Sequence, residues 1–351
     1  MKKLHLLFAL LTFGLFISCS KDNNNAGDGG STIQSITITS STTDAYIGDN
    51  IQFTVKGNNN ADVSTSAVIY VNTAPLVTNS FAPTAPGTLS VYAVYQVSST
   101  VSITSPTIQI PVIQGINFNK RVLIEDYTGT WCGNCTRVSH AIEEVKLQTD
   151  KSVSVAIHNG NDPYHFDGIA PLKNLILPNS QLALPVSRLN RMTVWTFPEV
   201  SNTQQAIDLT GNNTTLGLAL NSTVTNGTIN LDVNMKFIQN YTDLKLVVYL
   251  LEDKLIYNQR NYTNYYNGEN PIVNYEHNHV LRSSLTNILG DEVTGTTYGS
   301  TVTKSFSLPI PANIANSANI SFAAFLVGSD NKVLNARASL ANENQSFEVN
   351  P

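Results

Sequence analysis

Two cysteines separated by two residues are the part of this sequence best suited to chemistry: Cys132 and Cys135. They follow an apolar run at residues 122–124 and begin a segment, residues 135–149, that carries apolar side chains at helical spacing. The pair therefore falls where a strand passes into a helix, and free main-chain N–H groups at a helix start stabilise a thiolate. Because the thiolate is the reactive form of cysteine, we expect a disulfide in which Cys132 is the nucleophile and Cys135 the shielded resolving thiol.

The residues around the pair resemble the thioredoxin family. Asp126, Trp131, Cys132, Gly133 and Cys135 stand in that family's order and spacing. In the family, the acid at the place of Asp126 lies beneath the active site and relays the proton of the resolving cysteine. A carboxylate on an apolar strand is costly to bury, which favours such a role, although Asp126 could simply cap a turn. Trp131 is expected either to form an apolar lip that binds a substrate chain or to pack in the core.

The same resemblance implies a cis-proline that faces the cysteines at the start of the next strand. Pro185 is the preferred candidate because a β-type run follows it directly, and Pro198 is the alternative. Leu184 precedes Pro185 and is an unusual neighbour for this proline, and we assign it to the substrate-binding surface. Asn134 replaces the proline common between thioredoxin cysteines, which would alter the rigidity of the helix start and the redox potential.

Zinc is the alternative partner of a Cys-x-x-Cys pair, and it needs two further ligands. His277 and His279 are close in sequence and would share one face of a strand. They belong to a different predicted domain, so the sequence favours no metal and no cofactor. The long segment 159–182 carries three polar residues that could touch a substrate but would more simply be solvated: Asp162, His165 and Asp167.

The beginning of the chain predicts export. A short positive start precedes an apolar run, residues 4–17, that is too short to span a bilayer, which is typical of a secretory signal. The run ends at a serine followed by Cys19, which resembles a lipobox. We therefore interpret residues 1–18 as a lipoprotein signal peptide, Cys19 as the lipidated residue, and residues 19–32 as a flexible linker rich in Asn and Gly. An ordinary signal peptide with an incidental cysteine is the alternative.

The composition limits the classes of partner. The chain has 351 residues and a formal net charge of −5, with 13% charged and 42% hydrophobic residues. This length suggests two or three domains, and the absence of a basic patch in the sequence argues against nucleic acid as a partner. If Cys19 is lipidated, the two remaining cysteines can form only a local disulfide. One close pair in an oxidising compartment is typical of a redox-active protein, although a static disulfide fits too.

Three globular parts are expected after the linker. Residues 33–113 carry short alternating runs between turn residues, which predicts an immunoglobulin-like β domain. Residues 116–211 read as strand, helix and strand, which predicts a βαβ unit with a parallel pair in a thioredoxin-like domain. Residues 214–349 return to β runs with hairpin signals at 226–227 and 329–331, which predicts a β-sandwich. The expected fold class is multidomain, α/β plus all-β: a central thioredoxin-like fold flanked by an N-terminal immunoglobulin-like sandwich and a C-terminal β-sandwich.

A narrower resemblance covers the chain from about Lys120 to its end. Residues 123–135 together with residues 273–282 look like the outer-membrane-protein-twenty-eight family of lipoproteins. The resemblance implies an outer-membrane lipoprotein, on the periplasmic or the cell-surface side, with a thioredoxin-like domain and a β-rich C-terminal domain. A role as surface adhesin or receptor has been suggested for that family.

Two functions therefore stay open. The first is a thiol–disulfide oxidoreductase of the cell envelope, whose partners are protein thiols or disulfides. The alternative is an outer-membrane surface adhesion or receptor protein with a host or cell-surface ligand, in which the Cys-x-x-Cys is a structural disulfide. Both functions place the chain at the outer membrane through an N-terminal lipid.

Overall fold

The computed structural model describes residues 32–113 and 115–350. The predicted signal peptide, Cys19 and all but the last residue of the predicted linker lie outside the described residues. The chain divides into two compact units, one ending at Ile113 and one beginning at Gln114. In the described ranges, no helix is both long enough and apolar enough to cross a membrane.

The first unit is built from strands whose side chains are alternately buried and exposed, because one face of each strand packs on a core. Its strands are β1 (Ile36–Ser40), β2 (Ala45–Tyr46), β3 (Ile51–Gly57), β4 (Ala67–Val71), β5 (Ala74–Pro75), β6 (Ser80–Phe81), β7 (Gly87–Gln96), β8 (Ser102–Thr104) and β9 (Ile108–Ile113). One sheet has the order β1-β3-β6, and the other has the order β2-β9-β7-β4-β5 with β8 beside β7. Both sheets contribute apolar side chains to a single core.

The second unit has many strands and few helices. Its strands are β10 (Asn117–Lys120), β11 (Val122–Thr128), β12 (Ser152–His158), β13 (Val186–Leu189), β14 (Thr193–Val194), β15 (Gly211–Thr214), β16 (Leu216–Thr225), β17 (Thr228–Phe237), β18 (Lys245–Glu252), β19 (Leu255–Gln259), β20 (Ile272–His277), β21 (Val280–Ser284), β22 (Asp291–Glu292), β23 (Thr301–Pro309), β24 (Ile320–Val327), β25 (Val333–Leu340) and β26 (Val349–Asn350). Its helices are α1 (Thr136–Gln148), α2 (Ile169–Ile176) and α3 (Thr203–Ile207), with short 3-10 segments at Glu199–Asn202, Tyr266–Gly268 and Ser317–Asn319.

A nine-stranded mixed sheet forms the centre of the second unit, in the order β14-β13-β11-β12-β21-β18-β24-β25 with β22 beside β18. The predicted βαβ unit is present: β11 and β12 are parallel, and α1 connects them. Beyond β12 the sheet continues into strands from the C-terminal half, since Ala156 of β12 pairs with Val280 of β21. Every residue of β11 is buried, as expected for a strand covered on both faces.

Alternate residues of β11 pack into two different cores. Val122 and Ile124 contact the apolar face of α1 together with Trp195. On the other face of the sheet, Leu123 and Tyr127 join a cluster that includes α2 and apolar residues of β18 and β24. The alternate face of β18 and β24 packs instead against the separate sheet β16-β17-β23.

The predicted fold class, α/β plus all-β with a central thioredoxin-like fold, is wrong. Of the described residues, 46% lie in strands and 11% in helices, distributed over several sheets. Residues 116–211 form no separate thioredoxin-like α/β core between two sandwiches, because β11 to β14 belong to the same sheet as strands from residues 245–340. The physical reason is that the βαβ unit cannot cover its own apolar surface, and the C-terminal strands bury that surface and the edge of β12.

Candidate functional site around the disulfide

Cys132 and Cys135 form a disulfide, with Cα atoms 5.4 Å apart. β11 ends at Thr128, and a hydrogen bond of 3.0 Å from the Cys132 N–H to the Gly129 carbonyl closes the turn that follows. Cys135 is the residue immediately before α1, and its carbonyl accepts hydrogen bonds from the first turn of the helix. The predicted disulfide is therefore present at the junction between strand and helix.

Both cysteines are buried, with 5% of Cys132 and 1% of Cys135 exposed. Contacts to their loop come from residues 259–263, which we call the covering segment. The side-chain amide of Gln259 donates hydrogen bonds to the carbonyls of Gly129, at 3.3 Å, and of Cys132, at 3.1 Å. The cysteine loop is thus held by residues more than a hundred positions further along the chain.

The main chain of the covering segment pairs with the same loop. The Arg260 N–H donates to the Thr130 carbonyl at 2.8 Å, and the Tyr262 N–H donates to the Gly133 carbonyl at 2.7 Å. The Tyr262 ring lies so close to Gly133 that a Cβ atom added there would be 2.3 Å from the ring. Four carbonyls of the cysteine loop therefore accept hydrogen bonds from the covering segment.

Asn261 anchors the covering segment to the start of α1. Its side-chain oxygen accepts hydrogen bonds from the Thr136 hydroxyl, at 2.8 Å, and from the main-chain N–H of Thr263, at 2.9 Å. Its amide group donates to the Tyr265 carbonyl at 2.9 Å. Asn261 is buried, so these hydrogen bonds satisfy polar groups that would otherwise be unpaired away from water.

Asp126 lies on β11, on the face that packs against α1, and is buried. Burial raises the pKa of its carboxyl group to about 8; the charge of Glu199 raises it further and that of Arg137 lowers it. One oxygen, Oδ1, has no hydrogen-bond partner among the described residues. Its predicted role as a proton relay stays a prediction.

The predicted substrate-binding residues occupy different surroundings. Trp131 is 46% exposed, and its indole N–H donates to the Asn159 carbonyl at 2.8 Å. Leu184 packs against the apolar cluster that includes Tyr127. Whether Trp131 and Leu184 bind a substrate chain stays a prediction.

The two candidate prolines share a geometry. The Leu184–Pro185 and Phe197–Pro198 peptide bonds are both cis. Pro185 directly precedes β13, whose first residue, Val186, pairs with Tyr127 of β11. A role for Pro185 in recognising a substrate stays a prediction.

The polar residues of segment 159–182 divide into one buried and two exposed side chains. The Asp162 side chain is buried and accepts a hydrogen bond from Nδ1 of His158 at 3.1 Å. Burial alone would raise the pKa of Asp162, but the bond from His158 and those from the N–H groups of Thr130 and Tyr164 lower it to about 2. Asp162 therefore has a structural role, because its carboxylate is buried and accepts hydrogen bonds from three neighbouring residues.

His165 and Asp167 remain at the surface. The side chain of Asp167 is fully exposed, and that of His165 is about a third exposed and lies 3.5 Å from it. Neither contacts the cysteine loop in any hydrogen bond of the described residues.

The two C-terminal histidines do not lie on one strand. β20 ends at His277, and β21 begins at Val280, so a turn separates His277 from His279. His277 is buried, whereas His279 pairs with Asp253 at 3.0 Å. Within the described ranges, no three or more His, Cys, Asp or Glu side chains are grouped so that they could hold a metal ion.

A polar cavity of about 110 Å³ lies between α1, β12 and the segment 275–279. Asp126, Ser154 and His277 line it, together with Gln259 of the covering segment. Sequence reasoning missed Gln259, Asn261 and Ser154, since neither spacing nor periodicity marks a residue whose partner is distant in the chain.

Comparison with known proteins bears on the C-terminal half above all. Residues 180–345 match the family model described as outer membrane protein Omp28. The solved structure of HBP35 of Porphyromonas gingivalis has a TM-score of 0.51 and 16% identity, and the match covers 65% of this chain and 77% of that chain. At this identity the similarity shows the fold alone.

A second structure, surface layer protein SbsC, domains 4–9, has a TM-score of 0.19 and 10% identity over 91% of this chain and 52% of that chain. No curated protein matches the chain. The C-terminal part of the chain, residues 180–345, is thus similar to a family of outer membrane proteins.

Proposed function

We propose that this chain is an outer-membrane surface adhesion or receptor protein in which Cys132–Cys135 is a structural disulfide. The observation that carries the proposal is the covering segment, residues 259–263, which occupies the carbonyls of the cysteine loop. An oxidoreductase of protein disulfides needs those sulfurs accessible to a second chain. Here a substrate would first have to displace four hydrogen bonds and the Tyr262 ring.

The similarity of residues 180–345 to the Omp28 family supports a location at the outer membrane. We propose that a lipid on Cys19 provides the anchor. In a fractionation experiment, the wild-type chain should sediment with outer membranes, and Cys19→Ala should be released from them. A Cys19→Ala chain that still sediments with the membrane would refute the lipid anchor.

A host or cell-surface molecule is the proposed partner. Labelling of intact cells with a membrane-impermeant amine reagent tests whether the chain faces outwards.

The deciding experiment for the disulfide is an insulin-reduction assay with the purified mature chain. The matched control is the double variant Cys132→Ser/Cys135→Ser. With dithiothreitol as reductant, we expect wild type and control to give the same rate of insulin precipitation. Acceleration by the wild type alone would contradict the structural interpretation.

The second candidate function is a thiol–disulfide oxidoreductase. The observation that favours it is the buried carboxyl of Asp126, which lies on the strand that leads into the cysteine loop. Burial raises the pKa of this carboxyl to about 8. A group with that pKa can exchange protons near neutral pH. This function predicts that Cys135→Ser traps protein partners on Cys132 as mixed disulfides, and a cell extract that yields none would exclude it.

A further inference from the structure

The cavity beside α1 contains three buried side-chain atoms without a protein partner. Asp126, Ser154 and His277 line it, and Asp126 Oδ1, Ser154 Oγ and His277 Nε2 each lack a hydrogen bond among the described residues. Buried polar atoms are normally hydrogen-bonded, because an unpaired one costs its full desolvation energy. Three such atoms around one cavity need hydrogen-bonding partners from whatever molecule occupies it.

These atoms offer hydrogen bonds and little charge. Burial, helped by the neighbouring His158, lowers the pKa of His277 to about 4, so the ring is neutral at pH 7. The other ring nitrogen is engaged with the main chain of Tyr257, which leaves Nε2 as an acceptor. Burial raises the pKa of the Asp126 carboxyl to about 8. At pH 7 this group is therefore mainly protonated and can donate a hydrogen bond. The Ser154 hydroxyl can do either.

The rest of the lining disfavours ions of both signs. Glu143 and Glu276 line the cavity and would repel an anion. Lys146 also lines it, with its Nζ 2.5 Å from Nε2 of His279, and would repel a cation. An uncharged ligand fits this arrangement best.

We propose that the cavity binds the vicinal hydroxyl pair of an uncharged ligand, supplied either by a small polyol or by a terminal sugar of a glycan. Adjacent hydroxyls can donate to His277 Nε2 while they accept from Asp126 and Ser154. At about 110 Å³ the cavity is smaller than the roughly 150 Å³ cavity that holds benzene in another protein, so one diol enters and the remainder of a sugar stays outside. The inference deepens the proposed receptor function and rests on it only for the glycan source.

Isothermal titration of the full mature chain tests the proposal, with glycerol and methyl α-D-mannopyranoside as probes and 1,3-propanediol as the non-vicinal control. The variant is Ser154→Ala, and the matched control is Ser339→Ala. Ser339 is likewise a buried serine without a protein partner for its hydroxyl, and it lies outside this cavity. Loss of one hydrogen bond should weaken glycerol binding about five- to tenfold in Ser154→Ala, and Ser339→Ala should bind as wild type does.

Tighter binding of the mannoside than of glycerol would support a glycan as the source, and the reverse would support a free polyol. Equal affinities of wild type and Ser154→Ala, or of glycerol and 1,3-propanediol, would overturn the diol site. If Ser154→Ala does not fold, the ¹⁵N shift of His277 Nε2 in the wild type decides: it should move on addition of glycerol, and a constant shift refutes the proposal. A site that binds glycerol on a chain that never reaches the cell surface would refute the receptor function alone.

Discussion

Gly133→Ala should expose the disulfide without altering either cysteine. A Cβ at this position would lie 2.3 Å from Cδ2 and 2.5 Å from Cγ of the Tyr262 ring, so the ring must move by more than an ångström to reach ordinary contact. Tyr262 is largely exposed and can swing into solvent, but its N–H donates to the Gly133 carbonyl at 2.7 Å. The displaced ring therefore weakens the attachment of the covering segment.

The size of the effect follows from what is lost. One main-chain hydrogen bond contributes about 0.5–1.5 kcal/mol, and part of the packing of an aromatic ring adds about 0.5–1 kcal/mol. Local opening of the covering segment should become easier by about 1–2.5 kcal/mol, which is a factor of about 5 to 70 in the population of the open form. The second-order rate of disulfide reduction by dithiothreitol should rise by the same factor when opening precedes reaction.

The assay is a time course of reduction under native conditions, quenched with an alkylating reagent and read by mass spectrometry. Gly211→Ala is the matched control, because a Cβ there meets its nearest neighbour, Asn213 Oδ1, at an unstrained 3.5 Å. A wild-type rate in Gly133→Ala would refute the covering role of Tyr262. Equal acceleration in both variants would show that reduction proceeds by global unfolding.

Three further predictions concern stability. Asn261→Ala should lower the free energy of unfolding by about 1–3 kcal/mol in urea titrations, since the variant removes the hydrogen bonds from the Thr136 hydroxyl and to the Tyr265 carbonyl, and an unchanged midpoint would contradict the anchoring role. The pKa of Asp162 is about 2 in the folded state and near 3.8 in the unfolded state. The ionised carboxylate therefore stabilises the fold above pH 3.8, and this stabilisation is lost as the pH falls towards 2. Asp162→Asn should flatten the stability–pH curve between these two values. For His277 the folded pKa, about 4, is below the unfolded 6.5, so the unfolded state binds more protons between these values and stability falls as the pH falls from 6.5 to 4. His277→Asn should remove that slope, and a slope that persists in thermal melts would assign it to another group.

Local patterns in the sequence identified the local elements correctly. The apolar spacing that predicts a helix at 135–149 corresponds to α1, whose buried residues include Val138, Ala141 and Val145. The turn signal at 226–227 joins β16 to β17, with Asn226 and Gly227 both at positive φ, and the signal at 329–331 joins β24 to β25. These features depend on neighbours in the sequence, which is why patterns reveal them.

Such patterns do not predict which strands pair when the strands are far apart in the sequence. The pairing of β12 with β21 involves one residue pair, Ala156 with Val280, and the sequence of neither strand indicates which strand it will pair with. An isolated parallel pair and a segment of a larger sheet have the same periodicity, so the thioredoxin resemblance suggested a closed domain where the sheet continues. The covering segment escaped prediction for the same reason, since Gln259 carries no local signal that it caps Cys132.

The distance along the chain between the disulfide and its cover imposes an order of events during biosynthesis. Translation from the N-terminus produces Cys135 well before Gln259, so the two thiols exist for an interval without the residues that later shield them. An oxidant can join the sulfurs freely in that interval. Once residues 259–263 have docked, an external thiol or oxidant reaches the sulfurs only when that segment opens.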